Sequence, residues 1–245
     1  MGEGPNQSGL THKHIIQQAE ESLKRLQLDY IDLYQIHGFD ALTPLEETLH
    51  ALDSLVNSGK VRYIGCSNLA AWQLMKVLGI SERKGFVKFV SLQAYYTIAG
   101  RDLEREIVPL LKDQQVGLMV WSPLAGGFLT GKYTRQSGAE DDRRTAFDFP
   151  PVNKEKAYNI IDVMQEIAQV KNVSVTQIAL AWLLHQPVVT SIIIGVKKTE
   201  QLDDNIKVTT VTLTTDEMTK LDTASKLSPE YPGWMTERQG ADRKA

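Results

Sequence analysis

One cysteine, Cys66, stands among 245 residues, so the chain has no internal disulfide framework, and a lone thiol fits a reducing compartment. Long apolar runs are missing as well. None approaches the roughly 20 residues that span a bilayer, and the opening "MGEGPNQSGLTHKH" lacks the apolar segment of a secretory signal. Nor is there an excess of one charge: 27 basic and 30 acidic residues give a net −3 and are mixed along the length. That leaves no basic face for nucleic acid and no polybasic stretch for an anionic membrane. Metal ligands are equally scarce. The five histidines show no ligand spacing beyond "HKH" at 12–14, which opens a helix and cannot turn both rings to one ion. Repeats, low-complexity stretches and interdomain linkers are absent, so residues 1–245 read as a single domain. The absences together suggest a cytoplasmic protein whose partners are small molecules. With 42% hydrophobic residues, a full core is within its reach.

What the chain does contain is an alternation. Apolar residues at 16, 19, 23 and 26 recur at helical spacing, and "YIDLYQIH" (30–37) is rich in β-branched and aromatic residues. In "TPLEETLHALDSLVNSG" (43–59), Thr43 is the expected N-cap, with Pro44 in the first turn, Glu46 completing a capping box and Gly59 past the end. The pattern continues through strand 62–66, helix 69–78, strand 87–93, helix 104–115, strand 116–121, a polar loop to about 153, helices near 154–171 and 174–185, strand 190–194 and helix 199–206. A capping box from Thr214 to Glu217 opens the last helix.

Strands separated by amphipathic helices pair in parallel through right-handed crossovers, in a doubly wound sheet or a barrel. The polar residues favour the barrel. His37, Ser67 with Asn68, Gln93, Trp121 with Ser122, and Gly195 each stand at the carboxyl end of a different strand, and in a β/α barrel those ends converge on one mouth. A filled barrel has about eight strands, whereas only five can be read here. At roughly 30 residues per βα unit the deficit is on the order of 90 residues, expected at the amino end. The expectation is therefore a (β/α)8 TIM barrel, incomplete at the N-terminus. Either a second chain, such as another copy in a homo-oligomer, covering the gap or a disturbed, open barrel is expected, because an unpaired strand edge is prone to association.

Five stretches, "LYQIHGFD" (33–40), "GKVRYIGCSN" (59–68), "SLQAYY" (91–96), "VWSPLAGGFLTGKY" (120–133) and "IIIGVKKTEQLDDN" (192–205), together resemble the aldo-keto reductases. The likeness is strongest to the bacterial-type branch related to potassium-channel β subunits, and it runs from about residue 9 to about residue 225. It implies a (β/α)8 barrel that reduces aldehydes and ketones with NADPH. By this resemblance His37 orients the substrate carbonyl, while Ser67, Asn68 and Gln93 hold the nicotinamide carboxamide and Trp121 stacks on the ring. Ser122, Leu124, Gly126 and Lys132 match the pyrophosphate loop. Gly195, Lys197, Gln201, Asp204 and Asn205 match the segment holding the adenosine half.

The residues agree with this by their own chemistry. Glycines 126, 127 and 131 let backbone N–H groups approach an anion beside Lys132. Lys197 and Lys198 precede a helix start, which suits a 2′-phosphate and favours NADP over NAD. Hydride delivery leaves an alkoxide to be protonated, and a phenol needs a cationic neighbour to serve as acid near neutrality. The family supplies a tyrosine, a lysine and an aspartate for this step, and none has a match here, so His37 alone of the catalytic set is expected in this chain. Tyr34 should point to the opposite face of its strand from His37, and neither Tyr95 nor Tyr96 can be placed as the acid.

The loop 134–153 reads either as a lid that closes over the cofactor, with Arg143 or Arg144 near the adenine or phosphates, or as a disordered surface excursion. The tail is expected to bring Tyr231 and Trp234 toward a substrate pocket. Two further functional readings compete with the reductase. One is a non-catalytic, NADP(H)-binding regulatory protein; the other is a phosphate-binding barrel lyase or isomerase.

Overall fold

A computed structural model describes residues 4, 7–133, 135 and 147–241. Arg143 and Arg144, and most of the expected lid, lie outside the described residues. The chain alternates α1 (His12–Leu26), β1 (Ile31–Ile36), α2 (Leu45–Asn57), β2 (Val61–Ser67), α3 (Ala71–Lys84), β3 (Phe89–Tyr95), α4 (Ile107–Gln114) and β4 (Gly117–Trp121). After a 3-10 segment at Ala125–Thr130 come α5 (Lys154–Lys171), α6 (Val175–Leu184), β5 (Val189–Ile192), α7 (Thr199–Ile206), α8 (Thr215–Ser225) and α9 (Gly233–Ala241). The five strands among the described residues are bonded in sequence order, β1-β2-β3-β4-β5. That is the order of consecutive βα units in a barrel wall, and five of a barrel's eight or so strands are present. Among the described residues no single helix is long and apolar enough to cross a membrane.

The chain divides into two compact units. The first comprises Met1–Ala94 and Pro109–Met119, the second Tyr95–Val108 and Val120–Ala245. In the first, α2 buries Leu49, Leu52 and Leu55, three-residue steps along one helix face. The strands beneath contribute Ile36, Ile64, Cys66 and Leu92, all 6% exposed or less. In the second unit α6 is buried on every side from Gln177 to Leu183, as its unbroken apolar run requires. Its N-cap, Ser174, accepts from Gln177 N–H while the Gln177 side chain accepts from Ser174 N–H, a reciprocal cap that closes two otherwise unmade bonds. Thr214 and Glu217 close α8 in the same way, as their spacing predicts.

Several boundaries differ from the expected ones. Thr43 does not cap α2: the N-cap is Pro44 with no side-chain bond, because the Thr43 hydroxyl donates to Asp40 at 2.7 Å. Asp40 also accepts from Leu42 N at 2.9 Å and Leu10 N at 2.8 Å, so the loop after β1 is tied by a carboxylate that helix signals do not report. Helix α3 runs six residues past 78 to Lys84, ended by Gly85 at φ 71°, the left-handed geometry glycine adopts at least cost. The expected helix 104–115 is split into a 3-10 turn at Asp102–Glu104 and α4. Leu26, the last of the helical stripe, is 58% exposed, and α1 buries His14, Ile15 and Ala19 instead. The tail forms α9, which buries no residue; Tyr231 is 75% exposed and meets Trp234 edge to face at 6.0 Å.

Candidate functional site

The first unit places its candidates on one sheet face. Parallel register sets Gln35 opposite Gly65, then Gly65 opposite Ser91 and Ser67 opposite Gln93. Side chains alternate along a strand, so Gln35, Gly65, Ser67, Ser91 and Gln93 share a face, while Ile36, Ile64, Cys66 and Leu92 fill the core on the other. His37, directly after β1, continues the polar face by the same period, and Tyr34 takes the opposite one.

At the carboxyl ends of these strands the Gln93 carbonyl gathers two donors. Ser67 Oγ donates to it at 2.9 Å and Asn68 N–H at 3.1 Å. Asn68 turns back with φ 56°, a left-handed conformation that Asn tolerates better than most residues, and its Nδ2 donates to the His37 carbonyl at 3.1 Å. The Gln93 side chain in turn accepts, at Oε1, from Gln35 Nε2 at 3.1 Å. His37, Ser67, Asn68 and Gln93 are thus drawn together by strand ends and by bonds between them.

The second unit holds the other candidates. Trp121 ends β4; its ring lies 5.2 Å from Tyr95 and stacks on Phe149 at 6.0 Å with an interplanar angle of 11°. Gly100 leaves room for Tyr95, since a β-carbon there would come within 2.6 Å of the ring. After Trp121 the backbone takes positive φ at Ser122, Ala125, Gly126, Gly127 and Gly131, so the loop coils tightly in a way that β-branched residues would resist. Gly126 N–H donates to Ser122 Oγ at 3.0 Å and Gly127 N–H to the Leu124 carbonyl at 2.9 Å. These amides therefore bond within the loop. Lys132 is exposed, with its Nζ 5.0 Å from the Tyr133 ring.

Downstream of β5, Gly195, Lys197 and Lys198 are exposed, and Lys197 N–H donates to Gln201 Oε1 at 2.9 Å. Asp204 and Asn205 are placed differently. The Asp204 carboxylate accepts from Ser174 Oγ at 2.8 Å and Gln177 Nε2 at 3.0 Å, tying α7 to the start of α6, and Asn205 is 6% exposed.

Titration bears on who can act as acid or nucleophile. Burial pushes the Cys66 thiol up to about 12, which keeps it neutral and unreactive near pH 7. Burial also raises the Tyr34 phenol. Burial, reinforced by its hydrogen bond to Glu104, raises the Tyr96 phenol far more. Both shifts run opposite to what an acid near neutrality requires. Among the described residues no three His, Cys, Asp or Glu side chains come together as a metal site.

Three residues at these places escape a motif reading: Gln35, Tyr95 as a neighbour of Trp121, and Phe149. Gln35 was within reach, because it stands two residues before His37 and so shares its face. Phe149 carries no local signature, as its contact with Trp121 spans a loop.

The sequence profile of the aldo/keto reductase family matches residues 1–226. Among individual proteins, the chain is 35% identical to the versiconal hemiacetal acetate reductase of Aspergillus parasiticus, over 95% of this chain and 68% of that protein. It is 38% identical to the uncharacterized oxidoreductase YrpG of Bacillus subtilis (strain 168), over 86% of this chain and 64% of that one. A probable voltage-gated potassium channel subunit beta of Arabidopsis thaliana is 33% identical, over 94% of this chain and 73% of its own length. The chain spans about two thirds of the length of the relatives it matches.

Proposed function

The chain belongs to the aldo/keto reductase family, and from that premise we propose that it binds NADP(H) and that the whole protein reduces aldehydes and ketones to alcohols. The observation that carries this reading is the Ser67, Asn68 and Gln93 corner. Ser67 Oγ gives its proton to the Gln93 carbonyl and keeps lone pairs to accept with. Gln93 has its Oε1 engaged by Gln35, which turns its Nε2 donors the other way. One acceptor beside one donor complements the NH2 and the oxygen of a carboxamide.

The bound cofactor would supply a hydride to the carbonyl carbon. By the family resemblance the corner would fix which ring face is presented and His37 would orient the carbonyl oxygen, and the resemblance gives Trp121 the role of stacking on the ring. The exposed Lys197 and Lys198, just ahead of the helix start at Thr199, support a 2′-phosphate and hence NADP over NAD. None of these 245 residues matches the tyrosine, lysine and aspartate that the resemblance calls for. Turnover by this chain is therefore expected to be weak or absent, since loss of a general acid costs about 10²–10⁴-fold.

Titration of the chain with NADPH and with NADH, followed by tryptophan quenching and by heat, tests the reading. NADPH should bind the more tightly, and Lys197→Ala with Lys198→Ala should remove the preference. A folded sample that shows neither quenching nor heat with NADPH would sink the assignment. A second reading is favoured by the likeness to channel β subunits: a regulatory protein that binds NADP(H) without useful catalysis. NADPH oxidation by the whole protein with 4-nitrobenzaldehyde separates the two, and binding without oxidation supports the regulator.

A further inference from the structure

We propose that Ser174 and Gln177 are positioning residues for the adenosine half of the cofactor: through Asp204 they hold the segment 195–205 against the amino end of α6. The inference rests on the reading of Gly195, Lys197, Gln201, Asp204 and Asn205 as that segment and adds what keeps it in place.

Helix α7 has little apolar packing to fix it. Of its eight residues only Asn205 is buried, while Leu202 is 37% and Ile206 55% exposed. So short a helix is marginal on its own and takes its place from tertiary bonds. Near its amino end the Lys197 N–H donates to Gln201 Oε1 at 2.9 Å, which folds the turn carrying Lys197 and Lys198 onto the helix. Toward its carboxyl end stands Asp204, where the bonds to α6 gather.

These bonds have one direction. Gln177 Nε2 donates to the Asp204 carbonyl at 2.8 Å and to Asp204 Oδ1 at 3.0 Å, and a backbone carbonyl can only accept. Gln177 Oε1 accepts from Ser174 N–H at 3.3 Å, and a backbone N–H can only donate. The Gln177 N–H is bound by the same rule, so Ser174 Oγ accepts from it at 3.1 Å and gives its single proton to Asp204 Oδ2 at 2.8 Å. Turning the Gln177 amide over would set nitrogen against N–H and oxygen against carbonyl at a residue only 4% exposed, which is costly. The two side chains that cap α6 thus also grip α7 by both carboxylate oxygens. Helix α6 is a firm anchor, buried on every side from Gln177 to Leu183. A shift of Asp204 would carry with it Asn205 beside it and the lysines at the other end of the helix.

Capping and gripping separate by substitution at position 174. Asn and Asp have nearly the same shape and cap a helix about as well as Ser. Only Asn carries a donor for Asp204, whereas Asp would set a second carboxylate against it. Calorimetry on the full chain uses adenosine 2′,5′-bisphosphate, which is the adenosine half alone, and NADPH. Ser174→Asn should bind the bisphosphate within about 3-fold of wild type, and Ser174→Asp about 10-fold or more weakly, the scale of one charge-assisted bond. With Asp204→Asn already in place, whose amide can donate to a carboxylate at 174, Ser174→Asp should cost little further, a coupling that independent sites do not show. NADPH should give the same ratios, because it contains the same half.

Equal affinities in Ser174→Asn and Ser174→Asp overturn the proposal, since a role confined to the cap does not distinguish them. A loss from Ser174→Asp that persists beside Asp204→Asn overturns it too, as does a loss for NADPH that the bisphosphate does not share. If Ser174→Asp fails to fold, seen as lost helical circular dichroism, Gln177→Glu carries the comparison. Its oxygen still closes the cap with Ser174 N–H while the donors to Asp204 are gone, so the bisphosphate should weaken by a like factor, and unchanged binding would refute the grip. A wild type that binds neither ligand refutes the cofactor reading itself, an outcome distinct from wild type binding both and the variants matching it.

Discussion

Arg101 is the centre of the most connected polar cluster in the second unit, and its removal gives a sharp test of how that unit is held together. The guanidinium, with its side chain 13% exposed, grips Glu104 with two bonds at 2.8 and 3.0 Å. It also donates to Asp222 at 2.8 Å and Ser225 Oγ at 2.6 Å. Tyr96 O–H donates to Glu104 at 2.6 Å and Trp182 Nε1 to Asp222 at 3.1 Å. The cluster joins the segment after β3 to α6 and α8. Arg101→Met would leave Glu104, 24% exposed, with only the Tyr96 phenol, a part-buried charge without its cation. Breaking a buried pair from one side costs about 3–5 kcal/mol. Asp222 is 46% exposed and regains water easily, so its share falls to the roughly 0–1 kcal/mol of a surface pair and the total belongs near the lower end, about 3 kcal/mol. For a chain of this size about 2–4 °C is lost per kcal/mol, which predicts a fall in Tm of roughly 6–12 °C. Thermal unfolding followed at the buried Trp182 measures it. The double variant Arg101→Met with Glu104→Met should recover most of the loss, because removing both partners of a buried pair is often nearly neutral. A fall of under about 2 °C, or a double variant no better than the single one, would refute the reasoning.

Three further outcomes are expected. A β-carbon at position 65 would lie 2.5 Å from Ser91 Oγ and 2.9 Å from Gln35 Oε1, so Gly65→Ala should push Gln35 and Ser91 apart, destabilising by about 1–3 kcal/mol as other overpacked sites do; an unfolding midpoint equal to wild type would argue against the crowding at Gly65. The Thr43 hydroxyl, followed by the Leu42, Leu10 and Thr43 backbone N–H groups, holds the Asp40 carboxyl below its usual range despite partial burial. A carboxyl depressed in the folded state stabilises above its unfolded value, near 3.9, and that contribution fades as pH falls through the lower folded value. Asp40→Asn should therefore cost on the order of 1 kcal/mol at pH 7, with the difference shrinking below about pH 4 in denaturant titrations; a gap that stays constant to pH 3 would contradict this. Cys66, buried and with its thiol raised to about 12, should react with a disulfide reagent only after unfolding. Labelling as fast in buffer as in denaturant would show that the first unit's core opens there.

Much of the architecture follows from patterns a few residues long. Period-two alternation in "YIDLYQIH", helical spacing in 43–59 and the Thr214–Glu217 cap each act over one or two turns, and the described elements follow them to within a few residues. The strand-end candidates His37, Ser67, Asn68 and Gln93 were legible for the same reason, since a polar residue where an apolar strand stops is a local event. Where another partner intervened, local rules failed: Asp40, three residues away, took the hydroxyl that Thr43 would have lent to a cap, and Ser174 with Gln177, far along the chain, took the Asp204 carboxylate.

Sequence by itself therefore determined the alternation, the strand order and the chemical types gathered at the strand ends, because periodicity and capping are properties of neighbouring residues. Only the tertiary structure decided that Gln35 bonds Gln93 across 58 residues and that Arg101 reaches Asp222 across 121. Such pairs depend on register and on which groups are shut away from water together, and no short stretch of sequence holds that information.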